Sequence, residues 1–281
     1  MKIYDCFTFY NEFDLLEIRL EELYDVVDYF VVVEGNKTFQ NRDKPYFFLE
    51  NISRYKKYQD KIIHVAVDDM PDSSDAWARE THQRNQIRQG LKDAQPDDII
   101  IISDSDELLR AKTVGQLKTY NQMIFPFRMP LFNFKFNYMR VQPGQYDVWA
   151  MAARKSVMDH VSPDELRNSR FSFNNLPLNY QNNETKILEH SGWHFGYLGN
   201  KDFLIDKAKS FSHVEKNTEQ FFAQLDIEAS IKERKEWDRR ETAQYEIVQF
   251  DDYFPSFVLK NQDKYQQFIL QSHIPATNFL P

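Results

Sequence analysis

The sequence predicts an α/β fold in which a mostly parallel sheet is flanked by helices, with a C-terminal helical extension. Short β-branched apolar runs alternate with amphipathic helical patterns through the first half of the 281 residues. Such runs are typical of strands buried on both faces, as in a parallel sheet covered by helices. The second half shows a period-two alternation and a helix-start signal, which indicate a half-buried strand and further helices.

Four strands are predicted in the first half, at residues 3–9, 29–34, 62–67 and 98–103. Between the first two, apolar residues recur at helical spacing at Phe13, Leu16, Leu20 and Leu23. A second helix is predicted over residues 76–92. Ligands of such sheets bind beyond the carboxyl ends of the strands. The residues that follow the strands are therefore candidates for the site: 11–12, 34–36 and 104–107.

In the second half, residues 132–138 alternate aromatic and polar side chains and predict one strand. Ser162, Pro163 and Glu165 occupy the N-cap, N1 and N3 positions of a predicted helix. Longer helices are predicted over residues 217–237 and 257–270. The Asn-rich residues 169–184 lack periodicity and predict a mobile loop.

Charge and composition exclude several classes of protein. The formal net charge of −8 argues against a nucleic-acid groove, which needs an excess of Lys and Arg. The single cysteine, Cys6, cannot form an intramolecular disulfide. The sequence contains no signal-peptide pattern and no apolar run long enough to span a bilayer. A cytoplasmic protein is therefore expected, with peripheral association with a membrane left open.

The acidic run Asp104-Ser105-Asp106-Glu107 follows four isoleucines and Ser103. Carboxylates at the end of a buried strand are costly unless a cation neutralises them. Mg²⁺ and Mn²⁺ prefer oxygen ligands, typically one or two carboxylates together with substrate phosphates. The run therefore favours a divalent-metal site that holds a phosphorylated substrate, although acidic turns after strands also occur without metal.

Arginine and histidine side chains provide candidate partners for this run. Arg84 lies on the preceding helix pattern, and an arginine fork matches phosphate oxygens. His194 and His213 could each supply a nitrogen ligand to a metal held by Asp106, or a positive partner to phosphate. The alternatives are a solvated ion pair for Arg84 and a core histidine bonded to a carbonyl for each histidine. No P-loop, G-x-S-x-G, dinucleotide or H-E-x-x-H pattern occurs.

Several segments together carry a family resemblance: 11–20, 27–34, 38–39, 77, 84, 97–107, 142–144, 192–194, 259–261 and 265. On these segments the chain resembles glycosyltransferase family 17. The resemblance implies a GT-A-type glycosyltransferase fold with a Rossmann-like sheet, built as a single domain over residues 1–281. Residues 1–125 would bind the nucleotide sugar, and residues 126–281 would bind the acceptor and form the C-terminal helices.

The resemblance further implies an inverting transferase that uses UDP-GlcNAc and Mn²⁺ or Mg²⁺ to make a β linkage. It implies that Asp104 lies near the ribose or donor sugar and that Asp106 binds the metal. It also implies that Glu34 faces the uridine and that Arg84 faces the diphosphate or ribose. The donor residues expected with these are Glu12 and Trp193, and the further expected metal ligands are Asp104, His194 and His213.

The general base for inversion must be a group within reach of the acceptor hydroxyl. Asp164, at the start of the capped helix, is the first candidate by analogy with GT-A enzymes, and Asp147 is the alternative. Because this chain starts directly at its first strand, the expected acceptor is a surface polysaccharide or lipid-linked oligosaccharide. Two other functions remain open: a metal-dependent phosphotransferase or hydrolase, and a non-catalytic glycan-binding module.

Overall fold

The computed structural model of the protein describes residues 1–142, 146–172, 184–236 and 243–279. Strands β1 to β10 in these residues are Ile3–Thr8, Tyr29–Gly35, Ile62–Val67, Ile99–Asp104, Glu107–Leu109, Ile124–Asn133, Tyr138–Gln142, Tyr146–Arg154, Gly192–Gly196 and Gln244–Ile247. Helices α1 to α10 are Phe13–Leu23, Phe47–Glu50, Ala76–Asn85, Ala111–Gln116, Pro163–Asn168, Lys201–Ala208, Glu219–Gln224, Ile227–Glu233, Ser256–Lys260 and Gln262–Tyr265.

One sheet joins these strands in the order β10-β7-β6-β8-β4-β1-β2-β3, with β9 pairing β5 and β6 beside this path. Strands β3, β2, β1 and β4 are parallel, whereas β8 runs antiparallel to β4. The predicted α/β class is therefore confirmed. Strand β4 of the first half pairs directly with β8 of the second half, so the sheet continues across the predicted boundary at residue 125. The assignment of donor and acceptor halves stays a prediction.

Both faces of the parallel strands are covered. On one face Ile101 packs in a core with Leu20 of α1, and on the other Ile102 packs with Ile87, which follows α3. All three isoleucines are fully buried. This two-sided burial explains why β4 begins with four consecutive isoleucines. In the described part of the chain, no helix is long and apolar enough to cross a bilayer.

The predicted strands and helices of the first half are confirmed, with small differences at their ends. The predicted helix over residues 76–92 is α3 followed by a 3₁₀ helix, Gln86–Leu91. Asp75 caps α3 by accepting the Trp77 amide. Helix α5 begins with the predicted capping box, in which Ser162 and Glu165 exchange hydrogen bonds.

The single strand predicted over residues 132–138 is wrong. Strand β6 ends at Asn133, the chain turns through Phe134 at φ 62°, and β7 begins at Tyr138. Phe132 and Phe136 belong to one core, whereas Phe134 and Tyr138 belong to another. The alternating aromatic residues therefore supply two cores around a turn, and do not form one face of a strand.

The long C-terminal helices are also corrected. The helix predicted over residues 217–237 is α7 and α8, separated at Leu225, and Asp226 caps α8. The helix predicted over residues 257–270 breaks at Asn261 into α9, α10 and a 3₁₀ turn. Of the predicted loop, residues 173–183 lie outside the described residues, as does Trp237.

Candidate functional site

A cleft of about 400 Å³ opens where the parallel strands end. Residues after β1, β2 and β4 line it from the first half, and β9 and α6 contribute from the second. Of the predicted site residues, the cleft brings together Glu12, Arg84, Asp104, Asp106, His194 and His213. Four others do not line it: Glu34, Asp147, Asp164 and Trp193.

Asp104 lies between two guanidinium groups. Its Oδ1 is 3.2 Å from Arg84 and its Oδ2 is 3.0 Å from Arg167. Arg167 also pairs with Glu107, whose carboxylate accepts the Asp104 amide at 2.9 Å. Burial opposes ionisation of Asp104, but Arg167 and Arg84 outweigh it and hold the pKa of that carboxyl well below its usual range. Both Asp104 oxygens are thus committed to arginines, which argues against the predicted role of Asp104 as a metal ligand.

Asp106 contacts two residues of the second half. Its Oδ2 accepts a hydrogen bond from Lys207 Nζ at 2.7 Å, and its Oδ1 lies 3.5 Å from His194 Nε2. Burial raises the pKa of Asp106, but Lys207 and His194 more than reverse this and hold it well below its usual range. Lys207 is also 3.7 Å from Glu12, which accepts the backbone amides of Tyr10 and Asn11.

The Asp106–His194 pair fits a divalent cation. A carboxylate oxygen and an imidazole nitrogen on one cleft wall are donors that Mn²⁺ accepts. Beside them, a Cβ added to Gly196 would lie 3.6 Å from His194 Nε2, so the glycine keeps this space open. Within the described ranges, no three His, Cys, Asp or Glu side chains group closely enough to hold a metal. The pair would therefore need further ligands from other groups.

The structure separates His213 from this pair. His213 Nδ1 lies 2.8 Å from Glu215, and its ring packs edge-on against Trp77 at 4.9 Å. Trp77 is half exposed at the lip of the cleft. His213 is therefore a rim residue, and its predicted role as a metal ligand is not supported by this placement.

Asp164 forms an ion pair with Arg84. One carboxylate oxygen lies 2.6 Å from Arg84 Nη1, and the other accepts hydrogen bonds from Thr81 and Asn168. Arg84 in turn also pairs with Glu80. With both oxygens committed and the side chain buried away from the cleft, Asp164 is poorly placed as a general base.

Asp147 is the more exposed of the two candidate bases. It lies two residues before Trp149 on β8, and the register of the β6–β8 ladder shifts between them, since Phe127 pairs with Ala150 and Arg128 pairs with Val148. Trp149 lines the cleft and packs edge-on against His194, with ring centroids 4.2 Å apart. Partial burial raises the pKa of Asp147, while Arg140, Arg128 and His194 oppose the rise. Asp147 thus lies at the rim near His194, with a carboxylate more basic than usual.

Glu34 and Trp193 have structural partners. The Glu34 carboxylate accepts the amides of Phe48 and Leu49 at 3.0 Å and lies 2.8 Å from His64. It therefore satisfies the amino end of α2, and its predicted contact with uridine is not supported. Trp193 is buried in the core below the cleft, where Nε1 donates to the Tyr253 carbonyl. Among the tryptophans, Trp149 and Trp77 line the cleft instead.

Sequence reasoning missed the counter-ions Lys207 and Arg167. Lys207 follows the acidic run by 101 residues and Arg167 follows Asp104 by 63. The only available signal was the electrostatic need of three buried carboxylates for cations.

Comparison with known proteins places the chain in a family. A family model for glycosyltransferase family 17 matches residues 1–238. The chain is 29% identical over 203 residues to a human β-1,4-mannosyl-glycoprotein 4-β-N-acetylglucosaminyltransferase, covering 66% of this chain and 38% of that protein. The rat enzyme of the same name is 28% identical over 212 residues, covering 69% and 39%. The match thus spans well under half the length of these relatives.

Among solved structures, glucosyl-3-phosphoglycerate synthase from Mycobacterium tuberculosis aligns over 74% of each chain with a TM-score of 0.38 and 12% identity. That similarity is too low to carry a functional argument. The family match instead covers most of this chain, including the acidic run after β4, Arg84 and His194. The chain belongs to glycosyltransferase family 17.

Proposed function

We propose that the protein is an inverting glycosyltransferase that moves GlcNAc from UDP-GlcNAc to a glycan hydroxyl in β linkage, with Mn²⁺ or Mg²⁺. The observation that carries the proposal is the cleft at the end of β4, where Asp104, Asp106, His194, Arg84 and Lys207 converge. Family membership supports glycosyl transfer, and the names of the relatives support GlcNAc as the sugar.

The proposed donor is a diphosphate ester, and side chains would bind it. Arg84 and Lys207 line the cleft as buried cations whose acidic partners are also at the site. Each neutralises part of the charge that develops on the departing diphosphate, which is the main electrostatic requirement of the reaction. Asp104, fixed by Arg84 and Arg167, is proposed to accept hydrogen bonds from donor hydroxyls.

Asp106 and His194 would hold the divalent cation, since their donor atoms face one space. When bound there, the cation supplies Lewis-acid stabilisation of the departing diphosphate. Because Lys207 occupies Oδ2 of Asp106, that carboxylate has one oxygen left for such binding.

Asp147 is proposed as the general base in place of Asp164. Inversion by a single displacement needs a group that removes the proton from the attacking hydroxyl. Asp147 lies on β8 two residues before Trp149, which lines the cleft, and its raised pKa improves its capacity to accept a proton. The acceptor is proposed to be an oligosaccharide or lipid-linked glycan whose apolar sugar face packs on Trp149.

A donor screen tests the proposal. The purified protein is incubated with UDP-, GDP- and CMP-sugars, with and without glycan acceptors, in Mn²⁺ or EDTA, and product release is measured. Acceptor-dependent release of UDP from UDP-GlcNAc, lost in EDTA and in Asp106→Asn, is expected. Release that ignores the acceptor would instead favour a hydrolase or phosphotransferase, and glycan binding without UDP binding would favour a non-catalytic module.

A further inference from the structure

We infer that Asn133 supplies a third protein ligand to the divalent cation, through its amide oxygen. This inference rests on the proposed function, because it extends the Asp106–His194 pair of that site. Its starting point is the shortfall of ligands there. No third His, Cys, Asp or Glu in the described part of the chain completes the pair. An amide oxygen is also a good ligand for Mn²⁺ and Mg²⁺.

Asn133 is a buried polar residue with one unused group. Its side chain is 1% exposed and lines the cleft. Its Nδ2 donates a hydrogen bond to the Tyr245 hydroxyl at 2.7 Å, which fixes the plane of the amide. Its Oδ1 is buried and has no hydrogen-bond partner among the described residues. Leaving a buried acceptor unpaired is unfavourable, so a ligand for this oxygen is expected.

Strand pairing brings this oxygen close to the Asp106–His194 pair. In the parallel ladder of β6 and β9, Leu131 pairs with His194 and Asn133 pairs with Gly196. A Cβ on Gly196 would lie 3.1 Å from Asn133 Oδ1 and 3.6 Å from His194 Nε2. The amide oxygen and the imidazole nitrogen thus border the same small space, which exists because residue 196 has no side chain.

The proposed protein ligands of the cation are thus one carboxylate oxygen, one imidazole nitrogen and one amide oxygen. The three atoms come from three parts of the fold: the turn after β4, strand β9 and the end of β6. A site assembled in this way needs no donor phosphate to hold the ion. The inference therefore predicts that Mn²⁺ binds to the protein alone, with phosphate oxygens added later.

Titration with Mn²⁺ alone, followed by the electron paramagnetic resonance signal of free Mn²⁺, tests the inference. The full chain is expected to bind one ion without nucleotide. Asn133→Ala should weaken binding by roughly tenfold or more, since loss of even an outer partner of a metal site costs 10–100-fold. Asn133→Asp should strengthen binding, because it places a charged oxygen at the same position, and a misfolded variant would not gain affinity.

Two glycine variants form a matched pair. Gly196→Ala puts a methyl group into the space between the amide oxygen and the imidazole, so Mn²⁺ binding should be lost. Gly115→Ala adds a methyl group that meets only Val26 at 3.5 Å and should bind like the wild type. Circular dichroism confirms the fold of each variant.

Equal Mn²⁺ affinity of the wild type and Asn133→Ala would overturn the inference and leave the proposed transferase standing. Failure of the wild type to bind Mn²⁺ without nucleotide would also overturn it. Acceptor-dependent transfer in EDTA would instead remove the metal from the proposed function itself.

Discussion

At the scale of single residues, most carboxylates in and beside the cleft are paired with cations. Asp104 pairs with Arg84 and Arg167, Asp106 with Lys207, and Asp164 with Arg84. Asp147 differs, because burial raises its pKa and its neighbours only partly compensate. This difference is the basis on which Asp147, and not its paired neighbours, is proposed to accept a proton.

Replacement of Asp147 tests this division. Asp147→Asn should lower kcat by roughly 10²–10⁴-fold, because an amide cannot take the proton of the acceptor. The acidic limb of the pH–rate profile should disappear with it, since that limb reports protonation of Asp147. Initial rates at saturating donor and acceptor give both quantities.

Asp164→Asn is the matched control for that variant. It removes a charged partner of Arg84 and should mainly raise the KM for the donor. The acidic limb of the pH–rate profile should be retained. A larger loss of kcat in Asp164→Asn than in Asp147→Asn would restore Asp164 as the base.

Removal of Lys207 should lower the stability of the protein, because two buried carboxylates lose their cation. Lys207→Met leaves Asp106 and Glu12 buried without their shared cation, so the free energy of unfolding should fall by about 3–5 kcal/mol. The double variant Lys207→Met/Asp106→Asn removes one of the two unpaired carboxylates and should recover part of that loss of stability. Urea unfolding in EDTA measures both, and equal stability of the single and double variants would contradict the pairing.

At the scale of elements, the site depends on close packing behind it. The 3₁₀ helix Gln86–Leu91 continues α3, which carries Arg84, and lies against β2. Gly90 permits this contact, since a Cβ there would lie 2.4 Å from Val31 Cγ1. The position of Arg84 in the cleft therefore depends on a residue that does not line the cleft.

Gly90→Ala should accordingly destabilise the protein by about 1–3 kcal/mol, the usual cost of overpacking a core. Thermal or urea unfolding measures the change. Gly115→Ala, with open space around its added methyl group, should unfold like the wild type or later. Equal stability of the two alanine variants would contradict the tight approach of this segment to β2.

At the scale of the whole molecule, the acidic cluster makes stability depend on pH. The folded pKa values of Asp104 and Asp106 are held below their ordinary values by Arg167, Arg84 and Lys207, despite burial. Their contribution to stability is therefore complete above the unfolded value near 4 and is lost as pH falls through the folded values.

Chemical unfolding between pH 7 and pH 2 checks this dependence. The wild type should lose stability progressively below about pH 4, the ordinary Asp range. Asp106→Asn should show a shallower decline, because one of the two depressed carboxyls is gone. Identical slopes in the two proteins would show that Asp106 contributes no pH-dependent stability.

The sequence predicted the elements whose pattern is local. The isoleucine run of β4, the apolar stripe of α1 and the capping box of α5 all contain enough information within a few residues. The helix predicted over residues 217–237 failed because the break at Leu225 has no glycine or proline to mark it. The strand predicted over residues 132–138 failed because its aromatic side chains are divided between two cores.

For the site, the sequence identified the acids, Arg84 and His194, but not Lys207 and Arg167. A strand end rich in Asp is visible in the sequence, whereas Lys207 reaches Asp106 only through the fold. Glu34 was misplaced for a related reason. It ends a buried strand as predicted, but the fold sets the amino end of α2 against its carboxylate.

The spacing of these partners along the chain has a consequence for biosynthesis. A ribosome releases Asp106 long before Lys207, which follows it by 101 residues, and Arg167 trails Glu107 by 60. A nascent polypeptide therefore carries Asp106 and Glu107 before these two cations are made, although Arg84, which precedes Asp104, is already present. The Asp106–Lys207 pair can form only after translation has passed residue 207, so a shorter product leaves Asp106 without this counter-ion.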